Sequence, residues 1–280
     1  MKTLKTVLLL VTVFFSMTLL AQQKSFHVDI KGKGQPILLF PGFTCTGEVW
    51  EDLVKELSKT NECHIFTFAG FGDVPAIETP WLSKIKEGVV KYISENKLEK
   101  ATLIGHSLGG TLALWLATDT NAEYHKIIVV DALPSTGALM VPNFDSSTIV
   151  YENPYNQQLL NMDEKSFEAM AAQMASVMVL NKTKHEQIKQ WILNTDRQTY
   201  VYGYTDLIKL DLREAIAKIE VPVLLLAATQ PYGKNNVENT YITQYKNLKN
   251  YTIFYAEESA HFIMYDQPNW MLKHISDTLK

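Results

Sequence analysis

The residues that could do chemistry begin at Gly105-His106-Ser107-Leu108-Gly109. This Gly-x-Ser-x-Gly pentapeptide lies between the apolar run Thr102-Leu103-Ile104 and the apolar stretch 108–118. A serine there sits on a strand-to-helix turn so tight that only small neighbours, here Gly105 and Gly109, let the two elements close up. The turn lifts the hydroxyl clear of the sheet and sets it at a helix start, where developing negative charge is favoured. The chemistry is nucleophilic attack, and a hydroxyl needs a base for it. The chain has seven histidines. His27 and His64 fall in strands, His125 precedes one, and His185 and His274 fall in helical patterns. His106 adjoins the serine, and its ring is expected to point away. His261 is different: it follows the strand 251–255 within Glu257-Glu258-Ser259-Ala260-His261-Phe262. Its chain order and its sheet edge suit a base for Ser107. In Phe40-Pro41-Gly42-Phe43-Thr44 a glycine lets the backbone bend inward. The N–H groups of Phe43 and Leu108 are the expected oxyanion donors.

These residues need a scaffold that brings strand ends together, and the rest of the chain reads as one. Pro36-Ile37-Leu38-Leu39-Phe40, His64–Phe68, Ile127–Val130 and Val221–Leu226 are apolar runs of strand length. Such runs suit strands buried on both faces. Helical patterns over 48–59, 80–96, 108–118, 238–247 and 267–278 alternate with them. Repeated strand–helix units predict an α/β fold with a doubly wound, mostly parallel sheet. The alternation stops between about 134 and 209, where the pattern is helical, as over 163–180 and 184–196. That insertion is expected to be a helical cap over the carboxyl edge of the sheet, where ligands bind in open α/β sheets. The expected division is a core of 22–133 and 210–280 with a cap of 134–209.

The chain has 280 residues, 46% hydrophobic and 20% charged, with a formal net charge of −4. That composition is ordinary for a globular protein, and a mildly acidic chain with no basic stripe gives no footprint for nucleic acid. Met1–Ala21 reads as a secretory signal peptide: a short positive start, an apolar Val7–Leu20 segment too short for the roughly 20 residues of a bilayer span, and Ala21. The expectation is a secreted or periplasmic protein with no stable membrane insertion after cleavage. An oxidising compartment permits disulfides, yet the two cysteines, Cys45 and Cys63, fall at opposite ends of neighbouring strands. A strand spans about 17–20 Å and a disulfide about 7 Å at most between Cα atoms, so no bridge is expected.

The motifs Phe40-Pro41-Gly42-Phe43, Phe68-Ala69-Gly70-Phe71-Gly72, Gly105-His106-Ser107-Leu108-Gly109-Gly110, Ser259-Ala260-His261-Phe262 and Asp266-Gln267-Pro268 resemble those of the α/β-hydrolase superfamily. The resemblance covers nearly the whole chain after residue 21. It implies a Ser–acid–His triad, no cofactor, and acyl transfer on esters, amides or related bonds of a small-molecule substrate. The acid departs from the common pattern. Most members carry it just beyond the strand that here is Val221–Leu226, but Ala227-Ala228-Thr229-Gln230-Pro231-Tyr232-Gly233 holds no carboxylate. A minority place it one strand earlier, which selects Asp131 at the end of Ile127–Val130. Glu257 and Glu258 are alternatives, and Asp211 is read as the cap of a helix over 212–218. The expected function is hydrolysis of carboxylic esters with small or medium acyl groups. The alternatives are a non-catalytic binding protein of the same fold, or a haloperoxidase-like or carbon–carbon bond hydrolase using the same three residues.

Overall fold

The computed structural model describes residues 24–119, 123–141 and 143–280. The leader reading falls on residues outside these. Seven strands form a single sheet in the order β1-β3-β2-β4-β5-β6-β7. They are β1 (Phe26–Gly32), β2 (Gln35–Phe40), β3 (Asn61–Phe68), β4 (Thr102–His106), β5 (Lys126–Val130), β6 (Val223–Ala228) and β7 (Tyr251–Ala256). Only β1 runs antiparallel, beside β3; every other pairing is parallel. The helices are α1 (Glu51–Leu57), α2 (Trp81–Glu95), α3 (Leu108–Ala117), α4 (Thr136–Met140), α5 (Pro154–Leu160), α6 (Glu164–Met178), α7 (His185–Leu193), α8 (Tyr204–Lys209), α9 (Lys234–Gln244), α10 (Ile263–Asp266) and α11 (Pro268–Leu279).

The unbroken apolar runs are explained by burial on both faces of the sheet. Leu38 and Phe40 of β2 belong to a core with residues of α2 and α3 and with Val237 and Tyr241 of α9. Ile37 and Leu39 point the other way, into a core with α1 and with Met271 and Ile275 of α11. Side chains alternate across a strand, so a strand covered on both faces must be apolar at every position. Amphipathic α2 buries Trp81, Leu82, Ile85, Val89 and Ile93 along one stripe, at helical spacing. By contrast α3 lies at the centre of the molecule and buries all its residues except Trp115.

Strand register fixes what meets at the carboxyl edge. His106 pairs with Val130 across β4 and β5, and Val130 pairs with Leu226 across β5 and β6. Ser107 and Asp131 are each the next residue, so they emerge side by side where the sheet ends. The structure extends β6 to Ala228, two residues past the expected end, and begins α9 at Lys234 rather than 238. Between β5 and β6 the regular elements of the described residues are all helical, α4 through α8 with short helical turns among and after them. Over 212–218 only Ala215–Lys218 is helical, as one short 3-10 turn. Asp211 does not cap it. Its carboxylate instead accepts from the Arg213 N–H at 3.1 Å and from the Arg213 guanidinium. Cys45 and Cys63 are buried and unpaired. Burial pushes both thiols up, that of Cys63 to about 11. No helix among the described residues is long and apolar enough to cross a membrane.

Candidate active site

Ser107 takes φ 51° and ψ −121°, between the last residue of β4 and the first of α3. That left-handed backbone is costly for a side chain with a Cβ and persists only where the surroundings impose it. The glycines show what imposes it here. A Cβ on Gly105 would stand 2.1 Å from the Gly109 carbonyl oxygen, and one on Gly109 would stand 2.3 Å from that of Phe40. Strand and helix backbones therefore touch where a methyl would be. We expect Gly105→Ala and Gly109→Ala each to destabilise the fold by at least about 3 kcal/mol, since neither backbone contact can relax as a side chain would. Urea denaturation measures this, and a loss below 1 kcal/mol in either variant would contradict the close approach.

Three of the non-glycine residues with left-handed backbone gather at this edge: Ser107, Asp131 at φ 46° and Thr44 at φ 67°. Strain of this kind concentrates at functional sites. Asp131 is held from several sides. Its N–H donates to the Leu226 carbonyl at 2.7 Å. Its Oδ1 accepts from the Ala228 N–H at 2.9 Å and from the Tyr241 hydroxyl at 3.2 Å. Its Oδ2 lies 2.6 Å from Nδ1 of His261. Both side chains are mostly buried, 25% exposed for His261 and 17% for Asp131. A carboxylate only accepts hydrogen bonds, so Nδ1 carries the proton and Nε2 is left as the basic nitrogen. Burial, and then the nearby Asp131 charge, push the Tyr241 phenol well above its usual range, so it stays a donor.

The alternatives for the acid lie elsewhere. Glu257 pairs with Lys234 at 2.7 Å in solvent, and Glu258 is exposed. His27 faces solvent beside Asp29, and His64 is buried against Tyr92 and Glu62. His185 donates from Nε2 to the Val179 carbonyl, and His274 packs on Phe254 and Trp270. Among the described residues no hydrogen bond joins Ser107 Oγ to His261. In an enzyme without substrate that bond is often long and tightens on binding.

The loop that carries Phe43 also approaches the serine. A Cβ on Gly42 would lie 2.6 Å from Nδ1 of His106 and 3.4 Å from Cβ of Ser107. The loop is closed by the Cys45 N–H bonding the Gly42 carbonyl at 3.1 Å. Neither the Phe43 nor the Leu108 N–H donates to a backbone acceptor outside regular elements among the described residues. The Phe43 ring packs against Phe71, Trp81, Tyr200 and Tyr204, so core and insertion both hold it. Met170, Met174 and Met178 of α6 pack, like Phe43, against the buried cluster that contains Tyr200, and the Tyr200 hydroxyl lies 3.4 Å from Met174 Sδ.

His106 holds a place the sequence did not indicate. Its buried ring lands 4.6 Å from the His261 ring, centroid to centroid. Nε2 lies 3.0 Å from the His261 backbone carbonyl, so it must be the donor. Complete burial, and then the proximity of His261, hold its pKa well below the usual histidine range. His106 is therefore a neutral donor and does not compete for the serine proton. Among the described residues no group of three or more His, Cys, Asp or Glu is placed to hold a metal ion.

The chain is 22% identical over 267 residues to 3-oxoadipate enol-lactonase 1 of Acinetobacter baylyi, covering 92% of this chain and 94% of the relative. It is 25% identical over 205 residues to the pimeloyl-[acyl-carrier protein] methyl ester esterase of Vibrio campbellii, covering 72% and 78%. Among solved structures, the enol-lactonase from Burkholderia xenovorans LB400 superposes with a TM-score of 0.75 at 16% identity, over 91% of this chain and 96% of that one. A thermophilic esterase from Thermogutta terrifontis gives 0.72 at 16% identity, over 91% and 92%. The model of the Alpha/beta hydrolase family matches residues 37–273, and the chain belongs to that family.

Proposed function

We propose that this hydrolase cleaves carboxylic esters through an acyl-enzyme on Ser107, with His261 as base and Asp131 as its partner. The observation that carries the reading is the 2.6 Å contact between Asp131 and Nδ1 of His261, at the same sheet edge as the strained Ser107. His261 Nε2 takes the hydroxyl proton as Ser107 Oγ bonds to the ester carbonyl carbon. The oxyanion is met by the N–H groups of Phe43 and Leu108. When the C–O bond to the alcohol breaks, Nε2 returns the proton to the departing oxygen. Water then attacks the acyl carbon with the same proton traffic, and the acid leaves. Each oxyanion donor of this kind is worth about 2.7–4 kcal/mol of barrier.

The relatives named above are a lactonase and a methyl ester esterase, and both names denote action on a carboxylic ester bond. The insertion acts as a cap over residues 134–209. Its α6 methionines, with Phe43 and Tyr200, suit a small or medium acyl chain, because thioethers adapt to irregular apolar groups. The leader-like residues 1–21 support an exported enzyme. The missing acid after β6 favours a non-catalytic binder. The engagement of Asp131 with His261 favours hydrolysis instead. A fluorophosphonate probe separates the two. It is expected to modify one site per chain, Ser107, and a graded series of nitrophenyl esters is expected to turn over best at short to medium acyl length. An unlabelled chain, or one labelled elsewhere with no ester turnover, would overturn the proposal.

A further inference from the structure

The backbone around His261 is fastened at three consecutive residues, and the fasteners come from three different parts of the chain. The Ala260 N–H donates to Oδ2 of Asp266 at 2.9 Å. The His261 carbonyl accepts from Nε2 of His106 at 3.0 Å. The Phe262 N–H donates to the Met178 carbonyl, at the last residue of α6, at 3.1 Å. The Asp266 carboxylate does more than hold Ala260. Its Oδ1 accepts from the N–H groups of Leu180 and Asn181, each at 2.9 Å, and its Oδ2 lies 3.2 Å from the Leu180 nitrogen. Asn181 Nδ2 completes the join on the Tyr265 carbonyl at 3.3 Å. One carboxylate thus ties the segment that leaves α6 to the residue just before the proposed base.

We propose that Asp266 is a positioning residue that holds His261 in register with Ser107 and Asp131 by clamping the α6 exit, residues 178–181, to the His261 loop. Resting on the function proposed above, it deepens that reading: the insertion and the base form one mechanical unit. The physical reason is the donor set. Three backbone N–H groups meet two oxygens, and hydrogen bonds to an ionised acceptor are the stronger kind. An amide in the same place offers one oxygen and turns an NH₂ group toward N–H donors. It cannot hold both segments. A base displaced by about 1 Å can cost on the order of 10²-fold in rate, while acyl-chain contacts are unaffected.

The test compares wild type, Asp266→Asn and Asp266→Glu with Asn156→Ala, using the best nitrophenyl ester. Asn156 is a control within the insertion: its Nδ2 bonds the Tyr151 carbonyl and Thr205 Oγ1 and touches nothing of the His261 loop. The expected result for Asp266→Asn is a kcat lower by about 10- to 100-fold with KM unchanged. The fluorophosphonate labelling rate falls by the same factor. Asp266→Glu, which keeps both oxygens, recovers part of the loss, and Asn156→Ala lowers the melting temperature while retaining kcat. Folded Asp266→Asn with native kcat would overturn the clamp. So would a kcat loss matched by Asn156→Ala at equal destabilisation. Hydrogen exchange on the wild type gives a second measurement that needs no variant to fold. The amides of Leu180, Asn181, Ala260 and Phe262 should be protected and open together, and fast independent exchange at Ala260 and Phe262 would sink the idea. Loss of activity in Ser107→Ala and His261→Ala beside a native Asp266→Asn would reject the clamp alone. Full activity in those two variants would reject the reading of the site itself.

Discussion

Ser107→Ala and His261→Ala each lower kcat for ester hydrolysis by about 10⁶, and the double variant is scarcely worse than either. The lack of additivity follows from the division of labour. An alanine at 107 leaves nothing to acylate, and an alanine at 261 leaves a hydroxyl with no acceptor for its proton. Either loss removes the same pathway, so the second removes little more. A residual rate over the uncatalysed reaction, about 10³–10⁴, is expected to survive. The proposed oxyanion donors are the backbone N–H groups of Phe43 and Leu108, and neither substitution is expected to move them. The fold should survive too. Both side chains are part-exposed, and neither replacement adds volume at the elbow, where Gly105 and Gly109 leave no room. Steady-state turnover with matched melting curves checks the result. Separate tenfold losses that multiply in the double variant would mean that the two residues act independently, and that His261 is not the base for Ser107.

Strands such as Ile37–Phe40 and Ile127–Val130 were readable because both their faces are buried, which forces every position to be apolar. Ser107 was readable because the glycines at 105 and 109 are steric necessities, and His261 because the other histidines fall in or before strands or in helical patterns, with His106 expected to point away from the serine. Asp131 was reached through resemblance and elimination. Nothing local in Val129-Val130-Asp131-Ala132 separates an acid for a histidine from an aspartate that caps a turn. What separates them is the register of Val130 with Leu226, which brings the Ala228 N–H to its carboxylate across a gap of 97 residues.

The misses have the same cause. The end of β6 read two residues short because Ala227 and Ala228 carry little strand preference of their own; pairing with Tyr255 and Ala256 supplies it. A helix over 212–218 gave way to a single turn because Arg213 captures Asp211, the carboxylate that was to cap it. For His106 the sequence predicts only that its ring points away from Ser107. Its contact with His261 joins positions 155 residues apart, and no spacing rule reaches that far. Local rules picked out Ser107 and His261 as candidates, while the hydrogen bonds around them arise from tertiary contacts.

Asp131→Asn is expected to keep the fold and lose about 10⁴ in kcat, and the geometry gives the reason for so large an effect from so small a change. An asparagine can still accept from the Ala228 N–H through its oxygen, which leaves its NH₂ facing Nδ1 of His261. To be met by a donor, Nδ1 must give up its proton, which moves the proton to Nε2. The nitrogen that should accept from Ser107 is then blocked by its own hydrogen. The imidazolium that forms during attack also loses the negative charge beside it. Tyr241→Phe is the matched control, since it removes only the 3.2 Å donor to the other carboxylate oxygen while Ala228 still holds that atom. Its expected cost is about tenfold or less, the value of one modest hydrogen bond. The contrast between the two variants checks the assignment, with fluorophosphonate labelling rates moving in parallel with kcat. Near-native turnover by Asp131→Asn would show that the charge on this residue does not serve His261, and the acid would have to be sought elsewhere.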